Sequence, residues 1–352
     1  MKLPVLFTII NGDGLGHLTR TLAIAKRIRN LSPDFEVIFY TTCQATEIIK
    51  NFGFLCYYIP AIERMPEYLL RKDWEAKVQL QLEKILELHH PRIVVFDGAY
   101  PSTAILTPLM RVDKIKKLWI KREGDRSNML KLDVYEKYFD AILVPIEVGL
   151  EYKETSPKKQ YLSPILLLDN AEGYDRKQVR EIYRIHKEKR FWYIQLGNDG
   201  TYDNKEDVAF IIKCLLQNKN NVILFGESIR NTSQKIEHER VITIGDYPNS
   251  RFFKGLDCAV SAAGYNTFHE LLSFKVPSIF IPNRKIVKDD QVARAKRAQE
   301  LNVGIALTDT RKFFEALVRF EDHYEEFHSN LELVQFKNGA LQAAEFIYQQ
   351  IK

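Results

Sequence analysis

Ser261-Ala262-Ala263-Gly264-Tyr265-Asn266-Thr267-Phe268-His269-Glu270-Leu271 is the stretch that decides how this chain is read. It follows the apolar run Cys258-Ala259-Val260 and precedes Val276-Pro277-Ser278-Ile279-Phe280-Ile281-Pro282. The pattern predicts a buried strand, a glycine turn and a helix beginning near Asn266. A helix that starts this way offers backbone N–H groups and the positive end of its dipole, which together suit a phosphate. Glu270, one turn further in, is placed to accept hydrogen bonds from neighbouring sugar hydroxyls. An ordinary capped strand–helix junction of an α/β domain has the same local pattern, so the rest of the chain has to decide.

A chain of 352 residues is comfortable for two domains, each with its own core. Its 45% hydrophobic and 28% charged residues are those of a soluble globular protein. No apolar run approaches the roughly 20 residues that span a bilayer, and no secretory signal pattern precedes Val5. Cys43, Cys56, Cys214 and Cys258 show no CxxC pairing and sit in apolar contexts. They read as reduced core thiols of a cytoplasmic protein.

Short β-rich runs alternate with longer helical patterns, which predicts parallel sheets built from βαβ units. The first set of strands is expected at Val5–Ile10, Glu36–Thr41, Leu55–Ile59, Ile93–Phe96, Leu118–Lys121 and Ala141–Val144, with amphipathic helices over Leu22–Leu31 and Lys77–Leu88. The rhythm breaks at Ser163-Pro164 through Asp169-Asn170-Ala171-Glu172-Gly173, which suits a linker. A second set follows at Phe191–Leu196, Val222–Phe225, Val241–Ile244, Ala259–Ser261, Ser278–Ile281 and Gly304–Leu307. The expected domains are 1–165 and 166–335, with 336–352 a helix that packs back on the first. Two Rossmann-like halves place a cleft between the C-terminal strand edges of both sheets.

After the first strand comes Asn11-Gly12-Asp13-Gly14-Leu15-Gly16-His17-Leu18-Thr19-Arg20. Its Gly12-x-Gly14-x-Gly16 spacing departs from the GxGxxG dinucleotide fingerprint, and Thr41-Thr42-Cys43 stand where a ribose-binding acid would end the second strand. His17, at the mouth of this glycine loop, is a neutral imidazole near pH 7 and able to take a proton. Its usual orienting partner is a carboxylate. Asp97, in Val94-Val95-Phe96-Asp97-Gly98, ends a buried strand on the same sheet edge and is within reach; its competing role is to cap the helix that follows. His89 and His90 precede a strand at its wrong end, and His186, His238, His323 and His328 lie in charged contexts.

Together these residues resemble the GT-B nucleotide-sugar glycosyltransferases, and within them the group containing the lipid-linked glucosaminyltransferase of peptidoglycan synthesis. The resemblance runs from the Gly-x-Gly-His loop, with Gly14 and Gly16, to Gly264–Glu270, Pro277–Pro282 and Asp289-Asp290-Gln291. It implies an N-terminal acceptor domain and a C-terminal nucleotide-sugar domain. By it, Gly264, Tyr265, Asn266 and Thr267 hold the diphosphate, and Glu270 binds the ribose. Ile244 and Gly245 meet the base edge through the main chain, Asp290 and Gln291 read donor sugar hydroxyls, and Gly197 and Asn198 close over the phosphates. His17 matches the catalytic base, with Asp97 its carboxylate partner. Two departures stand out. Ala262 and Ala263 replace an Arg or His common in relatives, and Leu196-Gly197-Asn198-Asp199-Gly200 lacks the double-Gly-Ser form.

The implied reaction is inverting transfer from a nucleotide-sugar, UDP-linked, to an acceptor hydroxyl. A helix end at Asn266 stabilises the leaving diphosphate in place of a metal, so neither metal nor cofactor is expected. The rival is a nucleotide-sugar hydrolase of the pseudaminate-pathway type, which shares the Gly-x-Gly-His loop but needs only water as acceptor; a nucleotide-sugar 2-epimerase and a non-catalytic sensor are weaker options. Against hydrolysis stand Ala104-Ile105-Leu106, Leu109-Met110 and a basic stretch. From Arg111 to Lys131 there are eight Lys/Arg against three Asp/Glu. This predicts an anionic or lipid-linked acceptor and peripheral contact with the inner face of a membrane, with no nucleic acid partner.

Overall fold

Val5, Leu6 and Phe7 are fully buried, as are Val94, Val95 and Phe96, because parallel strands covered on both faces have no solvent side. The computed structural model describes residues 2–10, 15–122, 129–153, 156–197, 204–227, 236–284 and 289–351, with the side chains of 129–132 excepted. It divides into two units, Met1–Leu167 with Lys337–Lys352, and Leu168–Phe336.

In the first unit β1 (Leu3–Ile9), α1 (Leu15–Leu31), β2 (Phe35–Thr41), α2 (Thr46–Asn51) and β3 (Leu55–Tyr58) lead to α3 (Arg71–His89) and β4 (Ile93–Asp97). Then come α4 (Thr103–Met110), β5 (Lys116–Ile120), β6 (Ala141–Pro145) and β7 (Lys159–Leu162). The strands run parallel in the order β3-β2-β1-β4-β5-β6-β7. The second unit holds α5 (Arg176–Ile182), β8 (Arg190–Gln195), α6 (Lys205–Leu216), β9 (Asn221–Gly226), β10 (Val241–Ile244) and β11 (Cys258–Ser261). It continues with α7 (Tyr265–Ser273), β12 (Ser278–Phe280), α8 (Gln291–Glu300), β13 (Gly304–Ala306), α9 (Phe313–Asp322) and α10 (Tyr324–Leu333). Its parallel order is β10-β9-β8-β11-β12-β13.

Both orders reverse between a central pair, β1 beside β4 and β8 beside β11. At such a reversal the helices leave toward opposite faces, and a crevice opens at the carboxyl ends of the strands, the place where open parallel sheets bind ligands. The residues after β1, β4, β8 and β11 are therefore the ones the fold offers for chemistry.

Three local expectations need correction. Helix α1 begins at Leu15, seven residues before the predicted Leu22, because Leu18 is fully buried and extends the apolar face. Strand β7 was not foreseen: Lys159-Gln160-Tyr161-Leu162 is a polar edge strand without an apolar run. The segment after Ser163 does carry the boundary between the units, and its Ile165, Leu166 and Leu167 are buried. Leu166 is held at both backbone groups by the Asn338 side chain, and the Leu167 carbonyl accepts from Arg27 Nη1 at 2.7 Å. The units meet the chain at 167/168 and 336/337, where the reading had placed 165/166 and 335/336.

The C-terminal helix α11 (Gly339–Gln349) belongs to the first unit and packs on α1. Ala340, Ala343, Ala344 and Ile347 are buried, and these small side chains let the two helices approach closely. No helix among the described residues is long and apolar enough to cross a membrane. The four cysteines are free thiols.

Gly339 sets how closely the start of α11 meets the segment after β7, because a Cβ there would lie 1.9 Å from the Ser163 carbonyl oxygen. Gly339→Ala is expected to destabilise the protein by about 1–3 kcal/mol, the cost of overpacking, and to lower the thermal midpoint followed by circular dichroism. Gly16→Ala, whose Cβ meets nothing within 4 Å, should leave it unchanged or raise it. Equal midpoints for Gly339→Ala and the parent would contradict the packing assigned to α11.

Candidate active site

In the first unit His17 stands in the opening turn of α1, directly after the loop that follows β1. Asp97 is the last residue of β4 and has no solvent exposure. The strand pairing brings them together: His17 Nδ1 lies 2.8 Å from Asp97 Oδ1. Asp97 is thus not the cap of α4, whose N-cap residue is Ser102. Arg20, which sequence reasoning quoted but gave no role, completes the cluster. Its Nε donates to Asp97 Oδ2 at 2.9 Å, its Nη2 donates to Asp97 Oδ1, and the same Nη2 is 3.0 Å from His17 Nδ1. The available signal was its position, three residues after His17 on one helix face.

The electrostatics follow from this packing. Burial pulls the His17 imidazole below its ordinary 6.5; Asp97 opposes that through its charge and hydrogen bond, and Arg20 and Arg122 add to it. His17 is therefore neutral at pH 7. Burial pushes the Asp97 carboxyl upward, but Arg20 and His17 together outweigh it and hold the group below the usual carboxylate range. With the proton on Nδ1 shared toward Asp97, Nε2 is the nitrogen that takes a proton.

In the second unit β11 ends at Ser261, and Gly264 is the N-cap of α7. Its φ of −65° suits any residue, and a Cβ there would meet no atom within 4 Å. Neither backbone strain nor internal packing calls for glycine; open space over a helix N-terminus is what a ligand needs to reach the backbone. Tyr265 is buried, and Asn266 and Thr267 are half-buried on the first turn. Glu270, one turn on, is buried and accepts from Ser250 Oγ at 3.0 Å. Burial pushes its carboxyl up to about 7, against the opposing Ser250 hydrogen bond. Ser250, twenty residues upstream in the turn Asn249–Gly255, carried no sequence signal.

Gly197 follows β8 in a left-handed conformation, φ +68°, that glycine adopts without strain. Its carbonyl accepts from Asn204 Nδ2 at 2.7 Å. Asn198 and, in the first unit, Gly14 lie outside the described residues. Ile244 ends β10, and its carbonyl is taken by the Glu227 N–H at 2.8 Å. Of the expected base-edge pair, exposed Gly245 is thus the better placed to meet a ligand. Asp290 caps α8, accepting from the Ala293 N–H at 3.1 Å, and the Gln291 amide oxygen accepts from the Asn283 N–H at 2.9 Å. The Gln291 bond braces the segment after Pro282, and the Asp290 bond stays within the first turn of α8. Arg294, on α8, donates from Nε to the Ala263 carbonyl at 2.7 Å and pairs with Asp289. It brings a guanidinium to the turn where Ala262 and Ala263 replaced a basic residue.

Of the basic stretch, Arg126 and the Lys131 side chain lie outside the described residues, and Arg111 and Lys116 are exposed. Lys116–Ile120 forms β5, Arg111 pairs with Glu83 at 2.6 Å, and buried Lys121 pairs with Asp133 and Glu136. Lys114 stays exposed, near exposed Met110.

With this geometry in hand, comparisons with known proteins become informative. Residues 205–343 match the model of the glycosyltransferase family 28 C-terminal domain. The UDP-N-acetylglucosamine--N-acetylmuramyl-(pentapeptide) pyrophosphoryl-undecaprenol N-acetylglucosamine transferase of Clostridium perfringens (strain SM101) is 22% identical over 344 residues, covering 93% of each chain. Among solved structures, Acinetobacter baumannii MurG superposes with a TM-score of 0.65 at 13% identity over 99% of each chain. Spinosyn forosaminyltransferase SpnP does so with a TM-score of 0.71 at 12% identity over 100% of each. The two structural likenesses establish the GT-B fold.

The depressed imidazole gives a direct prediction. In ¹³C-histidine NMR the His17 resonance should titrate with a midpoint below 6.5, because burial and two guanidinium groups oppose protonation. The linkage sign follows: a histidine with a lowered folded-state pKa contributes stability above its unfolded value, lost as the pH falls through that window. A midpoint at or above 6.5 would contradict the geometry.

Proposed function

We propose that this chain, a GT-B glycosyltransferase whose second unit carries a family 28 C-terminal domain, is an inverting, metal-independent enzyme acting on a UDP-linked sugar. The observation that carries this reading is the pairing of each sheet reversal with its own chemistry. A neutral histidine on a buried carboxylate follows β1 and β4, and an open helix N-terminus with a buried glutamate follows β8 and β11.

The donor binds to the second unit. The N–H groups at the start of α7, from Gly264 through Thr267, receive the diphosphate, and Glu270 accepts hydroxyl hydrogen bonds from the ribose. Gly245 meets the base, Gly197 and Asn198 cover the phosphates, and Asp290 and Gln291 face the transferred sugar. The relatives' names support N-acetylglucosamine as that sugar and a lipid-linked diphosphate as acceptor.

Transfer begins when His17 Nε2 takes the proton of the acceptor hydroxyl. The oxygen forms its bond to the anomeric carbon from the face opposite the diphosphate, and the anomeric carbon–phosphate oxygen bond breaks. The electron pair leaves on the UDP oxygen, where the α7 dipole and N–H groups stabilise it. Asp97 holds the resulting imidazolium. A preorganised helix end does here what a divalent ion does in other transferases. The enzyme works in the cytoplasm at the inner face of a membrane, where exposed Lys114 and Met110 contribute a modest surface contact.

The two halves of this reading separate kinetically. His17→Ala should cut transfer by roughly 10²–10⁴-fold, the range for losing a general base, with UDP affinity unchanged by calorimetry. Glu270→Ala should weaken UDP binding by about 1–3 kcal/mol and leave His17 titration untouched. A His17→Ala enzyme that kept more than half its rate would move the base elsewhere, and unaltered UDP affinity in Glu270→Ala would remove the ribose assignment.

A further inference from the structure

Arg20 has a side chain only 3% exposed, one turn beyond His17 on α1. A His–carboxylate pair acts as a base without a third member. A cation on the same carboxylate even weakens the hold of that carboxylate on an imidazolium. Helix α1 does not need the residue for packing either, since Leu18, Leu22, Ile24, Ala25 and Ile28 already bury its apolar face. Burying a guanidinium costs several kcal/mol unless it is paired. Arg20 meets that cost with a two-oxygen grip on Asp97, and it lies 3.0 Å from the proximal nitrogen of His17.

We propose that Arg20 is a positioning residue that fixes Asp97 by both oxygens and, by its charge beside His17 Nδ1, keeps the imidazole neutral at the working pH. This rests on the reading of His17 as the base.

Among the described residues, the charged groups facing His17 are Asp97 from β4, Arg20 from α1 and Arg122 just after β5. Asp97 is a carboxylate without solvent exposure and requires a cation. With Arg20 present that requirement is met, and protonating His17 would set a second cation against the first. Without Arg20 the nearest group able to become the counterion is His17 itself. It would take a proton from solvent and form an imidazolium–carboxylate pair, with Nε2 already protonated and unable to accept one from the acceptor. The planar fork matters as well as the charge. A lysine supplies the cation but grips one oxygen, so the carboxylate and the imidazole on it turn more freely.

The test compares the full-length wild type with R20Q and R20K, reading the His17 midpoint by NMR and kcat from pH 5 to 9.5. R20Q keeps polar bulk without charge. Its His17 midpoint should rise above that of the wild type, and kcat at neutral pH should fall by the fraction of His17 that becomes protonated. Activity should return as the pH is raised, with KM for the donor unchanged. R20K should restore a low midpoint while kcat stays reduced at every pH. A uniform loss in R20Q with an unmoved midpoint would overturn the proposal and leave Arg20 a scaffold residue. If R20Q fails to fold, R20K decides alone: unchanged kcat and midpoint would show that the two-oxygen grip is dispensable and overturn the positioning role. Failure of the base reading is distinguishable, because it appears as an active His17→Ala enzyme whatever the midpoints in the Arg20 variants.

Discussion

Each sheet of this protein is built outward from a central pair of strands that run side by side while the chain leaves them in opposite directions. β1 and β4 form that pair in one unit, β8 and β11 in the other. Right-handed crossovers force the helices onto opposite faces, so the carboxyl ends of the paired strands stay uncovered. The places of the His17–Asp97 pair and of the open turn at Gly264 follow from that constraint. His17 enters from the loop after β1, Asp97 stands at the tip of β4, Gly197 follows β8, and Gly264 follows β11.

Two buried carboxylates then show how one fold supports different tasks. Desolvation pushes both upward. At Asp97 the charge of Arg20 and the hydrogen bonds from His17 and Arg20 win, and the group stays ionised. At Glu270 the Ser250 hydroxyl opposes burial but does not outweigh it, and the carboxyl rises to about 7. A permanently charged carboxylate suits the control of an imidazole. Hydroxyl donors added beside Ser250 would favour the ionised form of Glu270. Environments that drive like groups apart are a common sign of divided roles.

Much of this was legible from residue order. The strand–Gly–helix junction at Ser261–Leu271 and the His17–Asp97 pair needed only periodicity and the rule that parallel strands share an edge. The contributions of Arg20, Ser250 and Arg294 were not legible, because each acts across the fold on a partner its own local pattern does not name. Strand β7 escaped because an edge strand has no need of an apolar run, and its Lys159 and Gln160 look like loop. The segment around Ile165–Leu167 reads as a linker from Pro164 and the turn formers after it, and the boundary between the units falls there. It is buried because Asn338 and Arg27 satisfy its backbone.

The measurement closest to the central claim follows the label from radiolabelled UDP-N-acetylglucosamine in EDTA, with and without a polyprenyl-diphosphate-linked saccharide. Acceptor-dependent transfer of the label, with inversion at the anomeric carbon, is the result expected of His17 acting as base and the α7 N-terminus stabilising the leaving diphosphate. Rapid release of free sugar without acceptor would identify a hydrolase. Activity lost in EDTA and restored by magnesium would contradict the role given to the helix end.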